Sequence, residues 1–221
     1  MGKKRWEQIG AVSGILFLVL QFSAQGLIQV GGAEPSFNAS AEEILDYFLR
    51  RDPQLFNIGG ILSVFSFIAF LLFLGVLWGR LHSSEDKPAW MSLIAFGSGL
   101  LSGAIIMGIG GAGGWALAIF RIEESLSPEM ARLIFDMGNL SFATYWVGLA
   151  CLLLFSSVVT IRDGAFPSWL GWFGAATALL LLVARIFWDL PSGVIFVPYV
   201  LFSLWLIITS VILFRKAGEN G

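Results

Sequence analysis

Six apolar runs, each about 20 residues or longer, recur along this chain and leave it few ways to fold. They extend approximately from Ile9 to Val30, Phe56 to Leu81, Trp90 to Phe120, Met130 to Ile161, Trp169 to Trp188 and Gly193 to Phe214. A helix of about 20 mainly apolar residues crosses a hydrocarbon core of roughly 30 Å, so each run is long enough to span a bilayer. Hydrophobic residues fill 57% of the 221 positions and charged ones only 13%, too few polar groups to cover a water-soluble domain of this size. The expected fold is all-α, an integral membrane bundle of six transmembrane helices forming one domain over residues 1–221.

Lys3, Lys4 and Arg5 precede the first run, as in a signal peptide. That run continues for about 20 residues rather than the roughly 7 to 15 of a signal peptide, so it reads as a retained anchor. Basic residues stay preferentially on the cytoplasmic side. An inner N-terminus places Lys3, Lys4, Arg5, Arg80, Lys87, Arg162, Arg215 and Lys216 inside, against Arg50, Arg51, Arg121, Arg132 and Arg185 outside. The expectation is a cytoplasmic-membrane protein with both termini in the cytoplasm. An isoelectric point of about 5.4 and acidic outer loops argue against nucleic acid as a partner. The expected partners are membrane lipids, a small amphipathic ligand, and a second copy of the chain or another membrane protein.

The sizeable outer loop, "GGAEPSFNASAEEILDYFLRRDPQLF", carries its own helix signal. Ser40 and Glu43 form a capping-box pattern, and Ile44, Leu45, Phe48 and Leu49 follow at helical spacing. This predicts a short amphipathic helix at the outer interface, closed by Asp52-Pro53, either as a lid packed on the bundle or as a recognition element.

The third run holds Gly97, Gly99, Gly103, Gly108, Gly110, Gly111, Gly113 and Gly114. Gly99 with Gly103, and Gly110 with Gly114, fit the small-xxx-small pattern that lets membrane helices approach closely. The alternative is a broken helix exposing backbone dipoles to a substrate. The G-x-G-x-x-G match from Gly108 to Gly113 follows no strand, so it is no dinucleotide fingerprint.

Ser127, Pro128 and Glu129 mark the start of the fourth helix. From Pro128 to Arg162 it would rise about 50 Å, so it must tilt or protrude, and Asp136 falls about 9 Å outside the hydrocarbon. Arg185 falls roughly 6 Å inside the outer boundary, where it can snorkel or pair with Asp189 one turn on. Gln21, Gln25 and Gln29 share one face of the first helix, and Asn57 enters the second at the same level. Polar groups thus gather in the outer half, where Asp136 could meet Arg185. On the fourth helix, Trp146 shares a face with Asp136, Asn139 and Ala143.

The chemistry of catalysis is thin. All four lysines, Lys3, Lys4, Lys87 and Lys216, lie outside the spans, so no Schiff base can form at membrane depth. His82 is the only histidine, which excludes bis-histidine haem and His-rich metal sites. Cys151 is the only cysteine and sits in mid-helix, where it reads as a small core residue. No cofactor and no catalytic residues are expected.

Several stretches in order carry a family likeness: "QIGAVSGILFLV" in the first span, "ILDYFLRRDPQLFNIGGILS" in the outer loop, "LWGRL" leaving the second span, "FDMGN" beginning the fourth and "GAFPSWLGWFG" beginning the fifth. In these the chain resembles the bacterial membrane family known as domain of unknown function 4386. The resemblance implies a multi-pass membrane architecture and an Asp and an Asn at the mouth of the fourth span, here Asp136 and Asn139. It implies no enzymatic activity, and the Gly-rich third span departs from the pattern.

These readings converge on binding or transport of a small amphipathic molecule or lipid. Asp136, Asn139 and Arg185 would be the polar anchors, with Gln21, Gln25 and Trp146 lining an outer vestibule. The alternatives are a structural or accessory subunit that packs through its Gly-rich third helix, and a membrane enzyme whose carboxylate titrates in a cavity.

Overall fold

A computed structural model describes residues 3–108, 113–120, 126–187 and 196–219, and every regular element among them is helical. The helices are α1 (Lys3–Ile28), α2 (Ala41–Leu49), α3 (Pro53–Ser84), α4 (Trp90–Met107), α5 (Gly114–Phe120), α6 (Pro128–Asp163), α7 (Ser168–Ile186) and α8 (Val197–Glu219). All except α2 and α5 are long and apolar enough to cross a membrane, which gives six spans. Large apolar side chains such as Val19, Phe65, Leu101, Leu180 and Val200 stay exposed along them. Such surfaces suit lipid rather than water, and the chain is a multi-pass integral membrane protein.

The spans pack as a ring. Helix α1 lies against α3, α3 against α4, α4 against α6, α6 against α7, α7 against α8, and α8 returns to α1. Phe70, Phe73, Trp146, Leu152, Phe202 and Trp205 fill the interior. Gly14 permits α1 to close that ring, because a Cβ there would press on Phe73 of α3 and Ser210 of α8 together.

The expected start of α6 is present, whereas Asp52, expected to close the short helix α2, instead opens α3. Ser127 accepts from the backbone N–H of Met130 to open α6, and Asp52 accepts from those of Gln54 and Leu55 to open α3. At 36 residues, α6 is the longest of the described spans and rises about 54 Å.

The third run is not one helix, which corrects the expected span from Trp90 to Phe120. Helix α4 stops at Met107, Gly108 takes an extended conformation with ψ 179°, and α5 begins only at Gly114. Glycine is a poor helix former, so a dense run of it offers little resistance to a break. Gly110 and Gly111 lie outside the described residues. Gly99 and Gly103 do provide close packing, but inside the chain. A Cβ at Gly99 would meet Leu74 at 2.8 Å, and one at Gly103 would strike the ring of Phe67, both on α3.

The short helix expected between the first two spans is present as α2, with the full capping box of Ser40 and Glu43. It packs as a lid. Ile44, Tyr47 and Phe48 are buried in a second core with Phe56, Phe135 and Trp115, while Leu49 stays exposed. Tyr47 lies on the buried side one position before Phe48, so the buried face is rotated from the one formed by Leu45 and Leu49.

Candidate binding site at the mouth of the bundle

Two arginines hold the loop between α1 and α3 on the bundle. Arg51, 5% exposed, donates through Nη1 to the carbonyls of Ile28 and Val30, each at 3.1 Å, and through Nη2 to Gly32 at 2.9 Å. These carbonyls end α1, where unpaired acceptors and the negative end of the helix dipole favour a cation. Gly31, at φ 110°, allows the chain to turn there, since a side chain would run into the Arg50 carbonyl.

Arg132 holds the second half of the loop. Its Nη1 donates to the Ala39 carbonyl at 2.7 Å and its Nη2 to Phe37 at 3.2 Å. Its Nε donates to both oxygens of Asp136, at 3.1 and 3.0 Å. The expected pair of Asp136 with Arg185 is therefore not formed. Arg132 is one turn away on the same helix and reaches Asp136 without crossing an interface. Arg185 is half-buried in the last turn of α7, and its other expected partner, Asp189, lies outside the described residues.

Glu34 stands between the two staples. The Asn139 side-chain amide stands near its carboxylate, and the Arg51 and Tyr47 side chains feel its charge. Protein surrounds the Glu34 carboxyl on most sides, although the residue keeps accessible surface. Loss of hydration pushes its carboxyl above the usual range, against the opposing pull of Asn139 and Arg51. Burial, and then the Glu34 charge, likewise push the Tyr47 phenol up, so it stays neutral beneath the Arg51 guanidinium.

Below this mouth, the α6 face that begins with Asp136 and Asn139 continues to Ala143, 3% exposed, and Trp146, 1% exposed. Asn139 also donates to the Phe135 carbonyl at 3.1 Å. Trp146 stacks edge-on with Phe142 at 5.2 Å and Phe196 at 6.5 Å, and Tyr145 meets Tyr199 at 6.4 Å. The Trp146 indole N–H makes no full hydrogen bond among the described residues, although the Tyr145 hydroxyl stands close. A buried donor left in that state is costly unless something completes it.

The glutamines play a different part. Gln21 accepts from the Ser66 hydroxyl at 2.9 Å and ties α1 to α3, while Gln25 is exposed. Of the six residues singled out from the sequence, Asp136, Asn139 and Trp146 thus share one face of α6, which runs from the mouth into the interior. Sequence reasoning missed Arg132, although it stands four positions before Asp136. It also missed Arg51 and Glu34, whose roles depend on how the loop folds back. No protein-family model, curated protein or solved structure matches this chain.

Proposed function

We propose that this membrane protein binds a small amphipathic molecule or lipid at the outer mouth, as the receiving site of a binding or transport protein. The observation that carries the reading is the single α6 face that passes from Asp136 and Asn139 to the buried Trp146. A polar head would exchange hydrogen bonds with Asn139 and Glu34, and an apolar body would lie against Trp146 and Phe142. The indole N–H of Trp146 would supply the deepest polar contact. Asp136 acts through Arg132, holding the loop that frames the mouth. The likeness to the domain of unknown function 4386 family belongs to the same proposal, because "FDMGN" contains both Asp136 and Asn139.

Native mass spectrometry of protein released from mild detergent tests this, comparing wild type with Asn139→Leu and Trp146→Phe. Retention of one bound mass by wild type and its loss from both variants is the expected result. Equal occupancy in all three proteins removes the proposal.

A further inference from the structure

At the opposite end of the bundle two cations from different helices meet at one acceptor. Arg80 Nε, near the end of α3, donates to the Ala165 carbonyl at 2.9 Å, and Lys216 Nζ, on α8, donates to the same oxygen at 3.3 Å. The two charged nitrogens are therefore no farther apart than those two bonds laid end to end. Ala165 is fully buried in the turn between α6 and α7, so this corner is part of the folded structure and not a frayed tail.

The charge at this corner is unbalanced. Asp163, the nearest carboxylate in the turn, is engaged by Arg162 at 2.9 Å. Glu219, one turn beyond Lys216, exerts a field on it but is exposed, and among the described residues no carboxylate lies within ion-pair distance of Arg80 or Lys216. Lys216 and Arg80 repel each other, and both are half-buried, so water screens them incompletely. The Nη fork of Arg80 makes no hydrogen bond among the described residues, and the Lys216 ammonium, which also faces the Phe166 ring at 5.8 Å, makes no second one.

We propose that Arg80 and Lys216 clamp a phosphate group at this end of the bundle. A planar guanidinium fork suits two phosphate oxygens, and an ammonium beside it suits a third or shares one of them. The depth suits it as well. Trp78 and Trp169 expose their rings at this rim, where amphipathic aromatics mark the headgroup layer and its phosphates. The shared chemistry is a phosphate, which a phospholipid headgroup or a soluble phosphate could present. This site is remote from the outer mouth and stands independently of the function proposed there.

The test is native mass spectrometry and ligand-dependent thermal stability of the full chain in dodecyl maltoside. Phosphatidylglycerol and inorganic phosphate are titrated separately, with diacylglycerol as the phosphate-free control. The variants are Lys216→Gln and Arg80→Lys, the second retaining charge while losing the fork, with Arg215→Gln as a neighbouring charge control. Saturable binding of phosphatidylglycerol alone supports the clamp with a headgroup as its source, and saturable binding of inorganic phosphate supports it with a soluble one. In either case the affinity should fall at least fivefold in Lys216→Gln and in Arg80→Lys and stay within twofold in Arg215→Gln. Absence of saturable binding by both probes, equal binding of diacylglycerol, or an equal loss in Arg215→Gln overturns the proposal.

Discussion

The guanidinium of Arg51 lies 3.8 Å above the ring of Tyr47 while the same group closes three carbonyls at the end of α1. One side chain thus joins α1, α2 and the loop between them. Arg51→Ala would remove three donated hydrogen bonds at a part-buried corner, at a cost of about 2 kcal/mol. Arg51→Lys keeps the charge but cannot reach three acceptors at once, so it should recover less than half of that loss. Unfolding of both variants in mixed micelles measures the difference, and full recovery by lysine would show that charge alone matters.

Arg132 and Asp136 should separate in the same assay. Both side chains of this pair are about one-third exposed, at 33% and 36%, so Asp136→Asn should cost under about 1 kcal/mol. Arg132→Ala also removes the bonds to Ala39 and Phe37 and should cost about 2 kcal/mol. Hydrogen exchange should accelerate near residues 37–39 only in the arginine variant. Equal losses would mean that the ion pair, and not the loop staple, is what Arg132 contributes.

Glu34 makes the stability of the mouth depend on pH. A carboxyl whose pKa is higher folded than unfolded binds its proton more tightly in the folded state. Its contribution is full below the ordinary value of 4.5 and is lost as pH rises through the raised folded value. Wild type should therefore lose stability relative to Glu34→Gln as pH climbs upward from 4.5. Parallel melting curves of the two proteins across that window would show that the carboxylate feels no burial.

The spans and caps were legible because they depend on local pattern. A run of apolar residues and a Ser127-Pro128 start need no knowledge of neighbours. The apolar face of α2 also announced itself, but its partner did not: nothing local says that Tyr47 turns toward Trp115 and Phe135. The Asp136 pairing was misread for a related reason. Matching charges between helices requires their rotation and depth, whereas the nearer solution, Arg132, lay within one turn of the same helix. Glu34 was hidden by topology, since only the backward fold of the loop brings it to Asn139. The break after Met107 could be read from glycine content only as one of two outcomes, because glycine both permits close packing and weakens a helix.

Glycines of the third run should respond oppositely to substitution. Gly103 faces the Phe67 ring, so Gly103→Leu must displace α3 and should cost about 2 kcal/mol or more by overpacking. Gly97 has open space around its Cα, and Gly97→Ala should instead stabilise by roughly 0.5 to 1 kcal/mol through reduced backbone freedom. Because Gly103 packs within the chain, its loss should appear as lowered unfolding stability at constant oligomeric mass. A changed mass with unchanged unfolding would instead assign Gly103 to a contact between chains, and light scattering on the detergent-solubilised variants distinguishes the two.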